Sequence, residues 1–150
     1  MIKMTDEMRD LVDKALEYGT PCLLGTVDPD GGPHIGFRGS MMVFDDEHLA
    51  YWERTLRGEA TYVATNPKVM VMLRNPGRKL AWKFYGTATI IREGPIRLQV
   101  MERTPKVELE RDPERKGSAV LVKVDLITNL GGGPVQKRDG SPWPKDLHGG

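Results

Sequence analysis

The chain has 150 residues, of which 39% are hydrophobic and 29% charged, a composition typical of one soluble globular domain with a real core. Its 22 basic and 21 acidic residues leave a net charge of +1, which argues against a duplex nucleic-acid binder because such proteins carry a basic excess. The single cysteine, Cys22, excludes an intrachain disulfide and argues against a cysteine-based zinc site, as expected in a reducing cytoplasm.

The first residues are polar and charged, without the apolar core of a secretion signal. No later apolar run approaches the roughly 20 residues that span a bilayer, so no membrane segment is expected. Residues 5–18 carry apolar side chains at helical spacing, with Thr5 placed to cap the start and Gly19 to end it. This pattern predicts an amphipathic N-terminal helix.

Apolar runs with strand periodicity predict six strands after this helix. They cover residues 22–28, 33–44, 48–53, 68–74, 80–92 and 118–126. In the second strand, alternation places Ile35, Phe37, Met41 and Val43 on one face and His34, Arg38 and Ser40 on the other. Short helices are predicted over residues 58–65 and 95–103, and the charged residues 107–117 are predicted to be a helical or irregular excursion.

Hairpin-like spacing of the strands predicts a mainly β (α+β) fold. We expect a small antiparallel barrel whose gaps are filled by helices, with an open α+β sheet as the alternative. From Asn129 onward the chain is rich in glycine, proline and charge. We therefore expect a domain over residues 1–128 and a tail over residues 129–150, pinned by Trp143.

The residues between the third strand and the next helix are candidates for a phosphate site. In HLAYWERTLRGEATYVATNP, Arg54, Thr55 and Arg57 come directly before a helix predicted to start at Gly58. Arginine presents a planar fork of donors that matches phosphate oxygens, and a helix start adds free backbone N–H groups. The alternative is a solvated loop with two surface arginines.

Two glycines inside the second strand indicate another candidate site. A strand interior disfavours glycine, so Gly36 and Gly39 suggest either a bulge or a flat ligand close to the backbone. A planar ring could pack there with Arg38 and Ser40 as donors at its edge. Barrel curvature, for which glycines are also used, is the alternative.

Other residue types indicate neither a catalytic nor a metal site. His34, His48 and His148 have no partners at metal-ligand spacing, and Cys22 is expected to be a buried structural thiol. The chain has neither GxGxxG nor GxxxxGK[ST], so neither a Rossmann domain nor a P-loop is predicted. Catalytic residues therefore stay unassigned.

The order of these motifs resembles the FMN-binding split-barrel family related to pyridoxamine 5′-phosphate oxidase. The resemblance covers residues 5–127 and rests on the stretches CLLGTVDPDGGPHIGFRGSMMVF, HLAYWERTLRGEATYVATNPKVMVMLRNP and LAWKFYGTATI. In that family a G-x-P-x hairpin leads into the strand that supports the isoalloxazine. A strand-to-helix corner with Thr or Ser and Arg or Lys then grips the phosphate, and an N-P-x-V strand and a long strand ending x-G-x-A follow.

The resemblance implies a six-stranded antiparallel split β-barrel that forms a homodimer with two FMN sites at its interface. Carried over by position, the residues along the flavin ring and ribityl chain are Arg38, Gly39, Ser40, Met41, Trp52 and Glu53. Those holding the phosphate are Arg54, Thr55 and Arg57, and those facing the cofactor from the same or the other subunit are Trp82 and Lys83.

Two departures from the family pattern bear on activity. The oxidases carry a serine-arginine-lysine run where this chain has Thr55-Leu56-Arg57-Gly58, and a C-terminal arginine-leucine-proline substrate signature that this chain lacks. The sequence therefore favours flavin binding without vitamin B6 oxidation.

Three functions remain open at this point. The first is an FMN-dependent oxidoreductase acting on a small molecule, with NAD(P)H or oxygen as its partner. A flavin carries hydride chemistry itself, which accounts for the missing acid–base constellation. The second is a non-catalytic carrier or sensor of flavin, F420 or haem, and the third is a structural barrel with an empty site.

Overall fold

The computed structural model describes residues 1–141 and 143, apart from the side chain of Glu59. The helices are α1 (Asp6–Asp13), α2 (Tyr62–Thr65), α3 (Pro95–Arg103) and α4 (Lys106–Leu109), with a 3-10 turn over Gly58–Thr61. The strands are β1 (Cys22–Val27), β2 (Pro33–Arg38), β3 (Met42–Val43), β4 (His48–Glu53), β5 (Lys68–Asn75), β6 (Leu80–Ile91), β7 (Ser118–Thr128) and β8 (Pro134–Lys137).

Helix α1 begins where the sequence predicts and ends early. The Thr5 side chain caps it by accepting a hydrogen bond from the backbone N–H of Met8 at 3.2 Å. Met8, Leu11 and Val12 are buried in the core. The helix stops at Asp13 rather than at residue 18, because the chain then forms turns, including a bond from the Thr20 N–H to the Ala15 carbonyl at 2.9 Å.

The strands form one curled antiparallel sheet in the order β2-β1-β5-β6-β7-β4-β3, and β8 pairs with β7 outside this path. The end strands β2 and β3 are consecutive in the chain, so residues 39–41 connect the two ends of the sheet and curl it into a half-barrel. This confirms the predicted mainly β split-barrel class.

The number of strands differs from the six predicted. Eight strands occur in the part of the chain that the structure describes. One difference arises because the predicted second strand breaks into β2 and β3. There the Met41 N–H bonds to the Arg38 carbonyl at 3.3 Å, which makes a turn where a strand was expected. As a result Ile35 and Phe37 are exposed (60% and 67%), whereas Met41 and Val43 are buried and do not share their face.

The other additional strand, β8, lies in the predicted tail. Gln136 of β8 and Lys3 exchange two hydrogen bonds, so β8 also contacts the N-terminal segment. Next to β8, the Arg138 guanidinium lies 3.3 Å from buried Asp125. Trp143, which the sequence predicts to pin the tail, packs edge-on against Tyr85 with ring centroids 5.1 Å apart.

The core fills the inside of the curled sheet and extends under α1. Its largest fully buried side chains include Tyr51 and Phe84. Cys22 is fully buried as predicted, and burial raises the pKa of its thiol to about 12. Among the described residues, none of the helices has the length and apolar character needed to cross a membrane.

Candidate functional site

A pocket of about 250 Å³ lies between the β2–β3 turn and the end of β4. It brings together eight of the eleven residues predicted to bind a cofactor. Those eight are Arg38, Gly39, Ser40, Trp52, Glu53, Arg54, Thr55 and Arg57. The two candidate sites in the sequence, for a phosphate and for a planar ring, are therefore adjacent parts of one pocket.

The hydroxyl of Ser40 holds these two parts of the chain together. It donates a hydrogen bond to the Trp52 carbonyl at 3.2 Å and accepts one from the Trp52 N–H at 3.0 Å. Ser40 is only 3% exposed, so the two bonds form away from water, where an unpaired hydroxyl would be costly. The turn that breaks the predicted second strand is thus fixed against β4.

Trp52 forms a rigid wall of the pocket. Its indole N–H donates to the buried Asp112 carboxylate at 3.0 Å, and the Arg97 guanidinium lies 4.9 Å from the ring centroid. Asp112 also accepts the backbone N–H of Gly117 at 2.8 Å. Burial acts to raise the pKa of Asp112, but the hydrogen bonds from the backbone and from Trp52 outweigh it and lower that pKa.

Arg38, which is half-buried, and Glu53, which is buried, form a charged pair on the pocket wall. The Arg38 Nε lies 3.3 Å from a Glu53 carboxylate oxygen, and Glu53 is 8% exposed. Burial raises the pKa of Glu53, and the positive charge of Arg38 partly offsets this. The Arg38 Nε and the Glu53 Oε2 are both buried, and among the described residues their contact with each other is the polar interaction available to them.

The remaining arginines of the pocket are exposed to solvent, and their guanidinium groups are not bonded to other described residues. The guanidinium groups of Arg57 and Arg111 make no hydrogen bond or ion pair with any described side chain or backbone group. Arg54 is exposed beside Glu53, where its charge helps to lower the pKa of that carboxyl. These cationic groups and the hydroxyl of Thr55 line the pocket. They can meet an anionic ligand without first breaking a contact with another described side chain.

The helix predicted over residues 58–65 contributes less than expected. Gly58 has φ +54°, a left-handed conformation that glycine adopts readily, and the chain forms a 3-10 turn there before the four-residue α2. Such short turns align few peptide dipoles. The arginine side chains are therefore the main source of positive charge at this corner.

Three predicted residues lie outside the pocket. Met41 is buried in the core at 3% exposure. Trp82 is also in the core, with its ring centroid 6.4 Å from that of Phe84. Lys83 follows Trp82 on β6 and lies opposite Met72 of β5, so it points to the outer face of the sheet.

The structure adds two charged residues that the sequence reasoning missed. Glu108 and Arg111 line the pocket from the charged stretch after α3. The Glu108 carboxylate occupies the space that a side chain at Gly39 would need. The sequence signal was the charged run itself, but nothing local indicated that it folds back over the β2–β3 turn.

His34 and His48 do not line this pocket. His34 lies 2.8 Å from Asp28, and His48 lies 2.8 Å from Asp45. The prediction for His148 lies outside the described residues. In the described part of the chain, no group of three or more His, Cys, Asp or Glu residues is arranged to hold a metal ion.

Comparison with known proteins places the fold in context. Residues 4–128 match the family Pyridoxamine 5′-phosphate oxidase. HupZ of Group A Streptococcus is 26% identical, with a TM-score of 0.73 over 89% of this chain and 99% of that one. No curated protein matches the chain.

Two more distant structures share the fold. An FMN-binding protein from Syntrophomonas wolfei is 15% identical, with a TM-score of 0.66 over 88% of this chain and 86% of that one. An F420 reductase is 22% identical, with a TM-score of 0.59 over 78% of this chain and 95% of that one. One barrel architecture therefore serves proteins named for different cofactors.

Proposed function

Because the chain belongs to the pyridoxamine 5′-phosphate oxidase family, we propose that it binds FMN and acts as a flavin-dependent oxidoreductase on a small molecule. The observation that carries this proposal is the pocket that joins Arg54, Thr55 and Arg57 to the β2–β3 turn. Pyridoxamine phosphate oxidation itself is not proposed, because the arginine-leucine-proline signature is absent from the sequence. We also propose a cytoplasmic location, which the single buried thiol supports.

The charge of the pocket supports a phosphate monoester as the anchoring group. Four arginines and two glutamates with described side chains line it, an excess of two positive charges. A phosphate monoester carries about −1.5 to −2 at pH 7, so ligand and pocket are close to complementary. FMN carries this group and riboflavin does not, which makes the pair a direct probe of the assignment.

The pocket also contains a surface that suits a planar ring. Trp52 supplies a wall whose orientation is fixed by Ser40 and Asp112. Gly39 has no side chain, so its backbone is covered there by the end of the Glu108 side chain. The Arg38 guanidinium and the Glu53 carboxylate line the pocket beside this surface as a charged pair. When bound, FMN supplies the hydride chemistry; the residues of this chain bind it, orient it and exclude water from one face.

The size of the pocket supports a homodimer. At about 250 Å³ it is smaller than the roughly 300–1,000 Å³ typical of sites that enclose a cofactor-sized ligand. Phe37, 67% exposed, lies both at the pocket and on the outer face of β2. A second copy docked on that face would lie beside the ligand and enlarge the enclosed volume.

The outer face of the sheet is apolar enough for such an interface. Strand register aligns Phe37 with Leu23, Leu23 with Met72, and Met72 with Lys83 in one row across four strands. A neighbouring row contains Ile35, Gly25, Met70 and Tyr85. Ile35 and Phe37 are exposed in these rows, and exposed apolar patches mark interaction sites. Lys83 lies at the end of the first row, from where it could face the cofactor bound by a partner copy.

A deazaflavin remains the second candidate ligand, because an F420 reductase shares the fold. Haem is less well supported by the residues. Neither His34 nor His48 lines the arginine pocket, and each is engaged with an aspartate. An axial ligand for haem would therefore have to come from outside this pocket.

The proposal is tested first by the absorption spectrum of the purified protein and by mass identification of any molecule released on denaturation. We expect two flavin bands and FMN. A Soret band would identify haem instead, and failure of added FMN to bind, measured by quenching of its fluorescence, would overturn the proposal.

Steady-state kinetics then separates the oxidoreductase from a carrier. The FMN-loaded protein is mixed with NADH or NADPH under anaerobic conditions, and bleaching of the flavin bands is followed. Reduction followed by reoxidation with oxygen or a small electron acceptor supports turnover. A flavin that binds tightly but stays oxidised with both donors and with a panel of acceptors would indicate a carrier or sensor.

A further inference from the structure

Residues 104–117 form one wall of the arginine pocket. This segment includes α4 and the turns that lead into β7, and it contributes Glu108 and Arg111 to the pocket lining. It faces the β2–β3 turn, since the Glu108 carboxylate packs over Gly39. Any ligand that lies along residues 38–40 must therefore pass close to this segment.

The wall is anchored rather than loose. Asp112 accepts hydrogen bonds from the Trp52 indole at 3.0 Å and from the backbone N–H groups of Lys116 and Gly117 at 3.0 and 2.8 Å. The Arg115 guanidinium donates to the Leu109 carbonyl at 2.9 Å and to the Asp112 carbonyl at 2.7 Å. Arg111 and Asp112 are neighbours, so the Arg111 backbone is fixed to the same element that orients Trp52.

The two pocket-lining residues of the wall carry opposite charges with different surroundings. The Arg111 guanidinium is exposed and has no ion pair or hydrogen bond to a described residue. Glu108 is half-buried against a glycine, and it likewise makes no side-chain hydrogen bond or ion pair with the described residues. Its negative charge therefore faces the pocket without a guanidinium bound to it.

We propose that residues 104–117 are a charge-selecting wall, in which the Arg111 guanidinium binds the phosphate of the ligand and the Glu108 carboxylate disfavours ligands with anionic groups beyond that phosphate. This rests on the proposed function, since it assumes a phosphate-bearing ligand, and it adds which such ligand is accepted. A phosphate monoester satisfies the excess of positive charge. A ligand with further phosphate or carboxylate groups meets Glu108 and is repelled.

The test uses R111A, E108Q and the control K106A. Lys106 lies in α4, is exposed and does not line the pocket, so K106A removes a charge from the same segment without touching the site. Affinities for FMN and riboflavin are measured by fluorescence quenching. Affinities for inorganic phosphate and pyrophosphate are measured separately by isothermal titration calorimetry. Far-ultraviolet circular dichroism confirms that each variant is folded.

R111A is expected to weaken FMN about tenfold, the scale of one lost charge-assisted contact, and to leave riboflavin unchanged. E108Q is expected to raise the affinity for pyrophosphate more than that for phosphate. If R111A binds FMN as K106A does, the role of Arg111 in phosphate binding is refuted. If the ratio of the affinities for pyrophosphate and phosphate is unchanged in E108Q, the selecting role of Glu108 is refuted.

The two proposals can fail separately. Binding of phosphate and pyrophosphate with the expected variant effects, but no binding of FMN, would leave the wall in place and reject the flavin assignment. FMN binding that ignores both wall substitutions would keep the flavin and reject the wall. A protein that binds none of these probes would reject both.

Discussion

Arg57 is the residue whose proposed role, binding the phosphate, is the most direct to test. Its side chain is exposed, lines the pocket and makes no ion pair with any described side chain. A surface arginine of this kind contributes little to stability, so its removal should leave the fold intact. Any effect on ligand binding can then be attributed to the site.

Arg57→Ala is expected to weaken FMN by roughly 10- to 100-fold, because a charge-assisted contact to phosphate contributes about 1.5–3 kcal/mol. Riboflavin should bind as it does to the unsubstituted protein. Both affinities are measured by flavin fluorescence quenching, with the exposed Arg92→Ala, away from the pocket, as control. Equal losses for FMN and riboflavin would contradict the phosphate assignment.

The Arg38–Glu53 pair in the pocket makes the folding stability of the protein depend on pH. Burial raises the pKa of Glu53, and Arg38 partly offsets that rise. A carboxyl whose folded pKa lies above its unfolded value stabilises the fold in its protonated form. That contribution is present below the ordinary carboxyl range and is lost as pH rises through the raised pKa.

Arg38→Met should increase the loss of folding stability as pH rises, because the buried, ionised Glu53 carboxylate then has no paired guanidinium. We expect a decrease of about 3 kcal/mol in the free energy of unfolding at pH 8, and a smaller one at pH 4. The double variant Arg38→Met, Glu53→Gln should recover most of this loss. Urea unfolding at both pH values measures it, and a pH-independent loss in Arg38→Met would refute the assignment to Glu53.

At the scale of elements, the start of β7 and the end of β4 meet too closely for any side chain at Gly117. A Cβ there would lie 2.6 Å from the Glu53 carbonyl oxygen and 2.7 Å from the Trp52 Nε1. Glycine at this position lets β7 pair with β4 while Asp112 holds the Trp52 indole. The pocket wall and the strand pair therefore depend on the same residue.

Gly117→Ala is expected to destabilise the protein by about 1–3 kcal/mol, the usual cost of overpacking, and to weaken FMN binding by displacing Trp52. Gly131→Ala is the control, because its nearest neighbour would be the Asn129 side chain at 3.5 Å, an ordinary contact. Thermal unfolding and tryptophan fluorescence report the two effects. A Gly117→Ala protein as stable as the control would show that β4 and β7 can separate without strain.

The sequence predicted the element types well where the pattern is continuous, as in β1, β5, β6 and β7. It missed the break between β2 and β3, because alternation of apolar residues continues through Gly39 and Ser40. The break depends on the hydroxyl of Ser40 bonding to Trp52, twelve residues away, which no local pattern shows. β8 was missed because Pro134–Lys137 is short and its pairing with β7 is tertiary.

The site was predictable where its residues are neighbours in the sequence. Arg54, Thr55 and Arg57 follow one strand in an uninterrupted motif, and the pocket contains them. Glu108 and Arg111 come from a charged stretch about fifty residues later in the chain. Their place in the pocket follows from Asp112 bonding to Trp52, a contact between distant segments that only the folded structure reveals.

At the scale of the whole molecule, the outer face of β2, β1, β5 and β6 exposes apolar side chains that would be unfavourable in contact with water in an isolated chain. Ile35 and Phe37 are 60% and 67% exposed on strand β2 at the edge of the sheet path. Exposed apolar edges invite pairing with other chains. In a homodimer this face would be covered and each pocket would be completed.

Phe37→Ser is expected to weaken the proposed homodimer by roughly 100- to 10,000-fold, because each of the two copies loses the burial of one large apolar side chain, which contributes about 1.5–3 kcal/mol. Leu98→Ser, on an exposed position of α3 away from this face, is the matched control. Sedimentation equilibrium measures both. An unsubstituted protein that stays monomeric at micromolar concentration would contradict the homodimer.

Strand β7 joins the two parts of the sheet, since it pairs with β6 on one side and with β4 on the other. During synthesis β4 leaves the ribosome long before residues 118–128 exist. Until then the growing chain can assemble β2, β1, β5 and β6, but the buried residues of β4, such as Leu49 and Tyr51, lack their neighbour. Such long-range pairing slows folding and exposes strand edges to association. The nascent chain is thus most vulnerable to aggregation in the interval before its last long strand emerges.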